Sequence, residues 1–483
     1  MPRRVKSTVT VPNSSIFGCT WRIRDHLVAT LRPFILEVSE RLARGEALER
    51  AASAAAEKHP DAAGHFDLDA AAGSSGFGLR ESILYREDDA IGFMNFTSRR
   101  TSVRLGLELP EELVRPIADL LDRSASGKFS PRQLRADLPD DLHPLLDELL
   151  ESEVLATDQS PPRYRWDPDA PGITRLQHAC LLFRSPRTRV LIDPHLSSGF
   201  DRVPVHDTVG IGDLRDQVDA ILVSHGHNDH WWLPTLMMFP RDIPIIVPRV
   251  PRPTILCDDF ADVLRGLGFK NVIPLAWYSP PYRVGDLEIH AFPFYGEQPL
   301  LAERPRDPSL RNWGNTYFLR GEQFSAWVLI DSGNDVEGRM ASVAEEVRAR
   351  FGSVDYVFSN FRPFGITTPL YITGAGHYWL SLTADQMRRF HEMKDDFITL
   401  APPGIAEVCT AAGARHVLPY AHWWAELGQF PDEHEARLSA DLVRELAQRG
   451  AATKVLSWRI GDQLRIRPAH DPDFAGLVRD APR

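Results

Sequence analysis

The apolar positions of the chain change period several times, and each change marks a different kind of element. From Ile23 to about Lys58, Leu27, Leu31, Ile35 and Val38 fall three or four residues apart, which predicts one or two helices. Between Tyr85 and Leu109 the runs YREDDAIGFMNF and TSVRLGLEL mix β-branched and aromatic residues with polar ones at short range and read as strands. Helical spacing returns from Phe129 to Ala156, where Ser130-Pro131 is a helix start and Leu145, Leu146, Leu149 and Leu150 share one face before a short apolar turn. That order is winged-helix-like, but no consistently basic face accompanies it, so a helical packing unit is the simpler reading.

The Pro- and Asp-rich stretch from Asp158 to Gly172 reads as a linker, and the main boundary is placed there. Beyond it, short β runs such as RVLIDPHL, AILVSHG, IPIIVPR, WVLIDSG and YVFSNF alternate with helical stretches, which predicts an α/β domain with one or two packed sheets. The expected division is an N-terminal α/β domain with a winged-helix-like segment over residues 1–160, a second domain over 165–465 and a C-terminal tail over 466–483.

Composition narrows the classes. At 483 residues there is length for two or three domains of roughly 150 residues each. A net charge of −11 argues against a dedicated nucleic-acid binder. No apolar run approaches the ~20 residues of a membrane span. The basic start MPRRVK leads into STVTVPNSS and not into an apolar segment, so a cytoplasmic protein is expected, with no membrane partner. Cys19, Cys180, Cys257 and Cys409 have no CxxC spacing and read as buried small hydrophobes.

The strongest chemical signal is DAILVSHGHNDHWW, where an apolar strand ends in His225, His227, Asp229 and His230, four potential metal ligands within six residues. An extended segment places His225 and His227 on one side, and the turn that follows aims Asp229 and His230 at a second point. One short loop can thereby serve two metal ions.

A His-x-His-x-Asp-His run after a strand resembles the metallo-β-lactamase fold, an αββα sandwich with a binuclear site at one sheet edge. The resemblance extends over roughly Gly172 to Gly461. It implies that Asp193, in RVLIDPHL, braces the motif without binding metal. It implies that Asp331, ending WVLIDSG, is the bridging carboxylate and that His422, in LPYAHWWAE, is the last ligand. Hydrolytic members usually place a histidine where this chain reads LEIHAFPFYGEQP. His290 comes too early for that position and is expected to be a packing or sheet-face residue; the ligand position falls at Gly296 or Glu297, and Glu297 is taken as the ligand. On a plainer reading that carboxylate only caps a loop. As a ligand it makes the site richer in oxygen and moves preference from zinc toward iron or manganese.

With Glu297 in that position, the chain resembles the diiron β-hydroxylase family of chloramphenicol biosynthesis, whose members carry an N-terminal domain and hydroxylate an amino acid held as a thioester on a carrier domain. The resemblance implies two Fe ions, O2 as co-substrate, and Asp229 and Glu297 among the groups that shape catalysis. The alternative is a hydrolase of the same fold with Zn or Mn, a lactonase or phosphodiesterase in which Asp229 orients a metal-bound nucleophile. A third class, a metal-stabilised binding protein, predicts that metal loss costs stability but no turnover. Substrate gating, assembly into a homodimer, or docking of a carrier protein are the roles open to the N-terminal module. The paired aromatics Trp231 and Trp232, Tyr378 and Trp379, and Trp423 and Trp424, with Tyr295, are expected either to line a dry pocket or to pack the rim.

Overall fold

The computed structural model describes residues 7–67, 78–85, 89–157, 164–165, 171–196, 209–298, 309–364, 397–421, 432–466, 472–476 and 478–479. The N-terminal region is α/β. An antiparallel sheet of β1 (Ser15–Trp21), β2 (Ile91–Ser98) and β3 (Arg104–Glu108) has β2 at its centre. The helical stretch after Ile23 divides into α1 (Arg24–Ala43) and α2 (Leu48–Lys58), and the chain reverses between them at Gly45, whose φ of +83° suits a residue without Cβ. Three helices follow, α3 (Glu111–Ala125), α4 (Pro131–Asp137) and α5 (His143–Glu151). The start expected at Ser130 is a capping box. Its hydroxyl accepts from the Gln133 N–H, its own N–H donates to the Gln133 side chain, and Pro131 occupies the first turn.

From Gly172 the chain builds two sheets. The strands are β4 (Gly172–Arg175), β5 (Leu181–Arg184), β6 (Arg189–Ile192), β7 (Ala220–Leu222), β8 (Ile245–Pro248) and β9 (Val272–Leu275). Then come β10 (Tyr282–Val284), β11 (Leu287–Pro293), β12 (Asn315–Arg320) and β13 (Ser325–Ile330). Helices α6 (Met340–Phe351), α7 (Ala401–Ala412) and α8 (Asp432–Gln448) alternate with β14 (Tyr356–Ser359), β15 (His416–Pro419) and β16 (Lys454–Val455). The chain closes with β17 (Asp462–Arg465) and β18 (Asp473–Gly476).

One sheet has the order β9-β8-β7-β6-β5-β4-β17-β18 and the other β10-β11-β12-β13-β14-β15-β16. The strands β6 to β9 run parallel, as do β13 to β16, and the central ones are apolar throughout, as strands covered on both faces must be. Leu222, Ile246, Tyr317, Val328 and Phe358 lie in the core between the sheets. The outer face of the second sheet packs on α6, α7 and α8. The outer face of the first shares a core with the N-terminal region, where Leu191, Ile221 and Val247 join Phe17, Phe96 and Leu121. Ion pairs Arg24–Asp258 (2.8 Å) and Arg215–Asp122 (2.7 Å) cross the same junction.

One expectation changes and one holds. The stretch 466–483 is not simply a tail, because β18 pairs antiparallel with β17 and extends the first sheet by a strand. The four residues DFAG are too short to announce themselves by alternation. His290 lies on β11 against Phe318 and Phe351, a sheet-face residue as expected. Among the described residues no helix is long and apolar enough to cross a membrane.

Candidate metal centre

Parallel pairing of β6 with β7 brings the ends of both strands to one edge, so Asp193 follows Ile192 beside the turn that carries Ser224 and His225. Asp193 is fully buried. Its Oδ1 accepts the Ser224 N–H (2.7 Å), and its Oδ2 accepts the Ser224 hydroxyl (2.6 Å) and lies 2.8 Å from His230 Nδ1. With Nδ1 occupied in this way, His230 turns Nε2 toward Asp331 Oδ2, 2.9 Å away. The Ser224 hydroxyl also lies 2.9 Å from His225 Nδ1, so one serine and one aspartate orient both imidazoles.

Asp331 follows β13, where a register shift and a positive φ at Ile330 (+59°) bend the strand end. The neighbouring parallel strand β14 delivers Asn360, whose Nδ2 donates to Asp331 Oδ1 at 2.7 Å. Asn360→Ala is expected to leave that oxygen without its donor and to weaken metal uptake by about 10- to 100-fold. Equilibrium titration of metal-free protein measures this.

Glu297 follows β11 through the tight turn Tyr295-Gly296. Its N–H donates to the Ile398 carbonyl (2.8 Å), and its φ is +45°. The carboxylate reaches back to the histidine loop, with Oε2 2.7 Å from His227 Nδ1 and 3.2 Å from His225 Nε2. That oxygen is buried without a well-formed hydrogen bond. Behind it, Asp335 accepts the Gly296 N–H (3.1 Å) and pairs with Arg311 (2.8 Å), both side chains being buried. Arg311 also donates to the Phe294 carbonyl (3.2 Å). Asp335→Ala leaves that guanidinium buried and unneutralised, so a loss of about 3–5 kcal/mol is expected in urea unfolding.

Three overlapping groups result: His225, His227 and Glu297; His225, His230 and Asp331; and His178, Asp229 and His230. Within each, one ligand atom per residue lies within 4.8 Å of the others. Six of the seven residues expected as ligands, His225, His227, Asp229, His230, Glu297 and Asp331, thus lie at one edge, with Asp193 behind them. His422 lies outside the described residues, as do His377, Tyr378, Trp379, Trp423 and Trp424.

His178 was not among the expected residues. It sits in the turn between β4 and β5, with Nε2 3.0 Å from Asp229 Oδ2, and its ring contacts those of His195 and His230. Asn360 and Asn312 were missed as well. Asn312 places Nδ2 3.4 Å from His227 Nε2 and is clamped through its backbone to Gln298.

Electrostatics follow from this crowding. Burial pushes the His225 imidazole well below its ordinary range, and His230 and His227 add to the effect. Burial acts the same way on His227, but the Glu297 carboxylate outweighs it and leaves that pKa raised. His230 is raised well above the usual value despite burial, because Asp229, Asp331 and Asp193 surround it. Burial alone would raise Asp229, yet His230 and His178 hold it well below the carboxylate range. Backbone strain gathers at the same edge. Of nine non-glycine residues with positive φ among the described residues, His178, Asp193, Glu297 and Ile330 lie in or beside the cluster and Ala421 directly precedes His422. Convergent imidazoles and carboxylates, buried and held by strained backbone, are the donor set of a divalent cation.

The C-terminal region has the metallo-β-lactamase fold. Residues 172–319 match the family model of the Beta-lactamase superfamily domain. In sequence the chain is similar to the 4-amino-L-phenylalanyl-[CmlP-peptidyl-carrier-protein] 3-hydroxylase of Streptomyces venezuelae, with 27% identity over 295 residues, 58% of this chain and 51% of that protein. The match therefore spans about half the length of that relative. In structure it is similar to CmlA, a diiron β-hydroxylase from Streptomyces venezuelae, at a TM-score of 0.60 and 16% identity over 95% of this chain and 100% of that one. A possible metal-dependent hydrolase from Veillonella parvula superposes on 62% of this chain and 100% of its own, at a TM-score of 0.41 and 14% identity.

Proposed function

We propose that the protein is an O2-dependent hydroxylase that acts with two iron ions on an amino-acid-like substrate in specialised metabolism. His225, His227 and Glu297 would hold one ion and Asp229, His230 and His422 the other, with Asp331 available to both. The observation that carries this reading is the Glu297 carboxylate, turned onto His225 and His227 by a strained turn. A loop cap would point outward, whereas this side chain is buried against two imidazoles. An oxygen donor in that place favours iron or manganese over zinc. The sequence similarity to a hydroxylase of a carrier-bound aminophenylalanyl group supports an amino-acid substrate, presented free or as a carrier thioester.

When bound, a pair of ferrous ions would give O2 two electrons and the substrate C–H bond the other two, so that with two protons one oxygen atom ends in the product C–OH and the other in water, and an external one-electron donor would return the ions to the ferrous state. The chain's own residues prepare the site for it. Asp193 fixes the Nδ1 side of His230 and Asn360 fixes Asp331, so the donors need little rearrangement. Phe294, stacked on His225 at 4.7 Å, and buried Trp232 and His195 wall the site against water. Asp229 is its more open carboxylate, 31% exposed, and lies 3.0 Å from His178 Nε2.

Purification from unsupplemented cells, metal analysis, and absorption spectra before and after anaerobic reduction and O2 exposure test the proposal. Close to two irons per chain with an O2-responsive charge-transfer band is the expected result. Two zincs and a featureless spectrum would overturn it in favour of a hydrolase that polarises a carbonyl or phosphoryl oxygen.

A further inference from the structure

We infer that the N-terminal helical hairpin of α1 and α2 is a positioning element for one half of the metal centre, acting on His227 and Glu297 through Leu310 and Ile398. Leu31, Phe34 and Val38 of α1 are fully buried, and the apolar cluster they form with α2 is completed by residues of the C-terminal region. Two of these, Leu310 and Ile398, belong to short segments whose other side faces the metal site.

Ile398 makes the tighter link. Its side chain is 1% exposed and lies in the hairpin cluster, while its carbonyl accepts the Glu297 N–H at 2.8 Å. The same carbonyl is wedged between two glycines. A Cβ at Gly296 would come within 2.4 Å of it, and one at Gly333 within 2.2 Å. The turn that aims Glu297 is thus shaped around an oxygen whose residue is anchored in the hairpin. Leu310 makes the second link. It precedes Arg311, the partner of Asp335 behind Gly296, and Asn312, whose Oδ1 accepts the Gly226 N–H (3.4 Å) and whose Nδ2 faces His227.

The other half of the centre is anchored elsewhere. His230 and Asp331 are fixed by Asp193 after β6 and by Asn360 after β14, and Asp229 by His178 in the turn between β4 and β5. Loosening the hairpin therefore acts first on His227 and Glu297, whereas His225, which belongs to both groups, keeps its Ser224 contact, and His230 and Asp331 keep theirs to Asp193 and Asn360.

This inference rests on the two-metal reading, and the test separates the two. Metal-free full-length protein is titrated anaerobically with Co(II), and its ligand-field absorption reports each site in turn. Wild type is expected to take up two equivalents; uptake of one or none would end both the two-metal reading and this inference. Ile398→Ala and Phe34→Ala are expected to weaken one site by about 10- to 100-fold and to leave the other within about threefold. The spectrum of the surviving site should match that of Glu297→Ala, which identifies the half lost. Ile398→Val and Phe34→Leu should restore most of the affinity, and they carry the same graded prediction if an alanine variant fails to fold, as thermal melting of the apoprotein reports. Equal weakening of both sites, or unchanged affinities in a folded variant, would overturn the inference while leaving the two-metal reading intact.

Discussion

Glu297→Ala is expected to lower bound metal from two equivalents toward one and to reduce hydroxylation by more than about 100-fold, since even residues that only support a metal ligand are worth about 10- to 100-fold. The structure gives the direction. His225 and His227 face each other at 3.1 Å between Nε2 and Nδ1, and the Glu297 carboxylate is the anionic member of their group. Without it, a buried and a half-buried imidazole are left to share a cation with no charge to offset it. Glu297→Gln keeps the shape but brings an amide that ligates weakly, so it should resemble alanine in metal content. Glu297→His is the more informative change, because it restores a three-nitrogen group and should shift occupancy toward zinc with loss of any O2-responsive band. Metal analysis and product formation, measured together on the three variants, check this. Full metal content and activity in Glu297→Ala would reduce Glu297 to the cap of a loop.

The parts of this site differ in how far the sequence exposes them. His225, His227, Asp229 and His230 are contiguous, and their spacing after an apolar strand carries the chemistry without any knowledge of the fold. Asp331 and Asp193 follow short apolar strands and are legible by resemblance. Glu297 required a judgement about where β11 ends, because Gly296 and Glu297 are equally placed by counting; only Glu297 carries a side-chain donor, and the backbone turn, with φ of +81° and +45°, brings it onto His225 and His227. His178 and Asn360 had no spacing to betray them. One is brought to Asp229 by the antiparallel pairing of β4 with β5, the other to Asp331 by the parallel pairing of β13 with β14. A lone histidine before ACLLF or a lone asparagine after YVFS acquires its role only through those pairings.

The same limit applies to the N-terminal region. Helical period located α1 and α2 and the face they bury, but a period names no partner. Of the seven buried residues that complete this cluster outside the two helices, four, Ile255, Leu256, Leu310 and Ile398, lie more than 150 residues away in the chain in otherwise irregular segments. The linker expected near Asp158 suggests independent units, yet the apolar cluster that includes Phe17, Phe96 and Leu121 continues into the first sheet. Composition marks where chain direction is free to change, not whether the surfaces on either side meet.

Asp193→Ala is expected to have the second large effect, on stability and metal binding together. Asp193 touches no other residue's ligand position directly except through His230 Nδ1, and it holds three donors at once: the Ser224 N–H, the Ser224 hydroxyl and that imidazole nitrogen. Removing it leaves them buried and unsatisfied, at a cost of about 1–3 kcal/mol for each neutral group. It also leaves His230, whose pKa is held up in part by its bond to Asp193, with less reason to keep its orientation. A loss of about 3–5 kcal/mol in chemical unfolding of the metal-free protein is expected, with metal affinity down by about 10- to 100-fold. Asp193→Asn separates the two effects. The amide fills the same volume; its oxygen keeps the Ser224 N–H, which can only donate, so its NH2 faces the Ser224 hydroxyl and His230 Nδ1 and favours the His230 tautomer whose Nε2 carries the proton. It should therefore recover part of the stability while metal affinity stays low. Recovery of both would mean that Asp193 only fills space, and that the orientation of His230 is set by Asp331 alone.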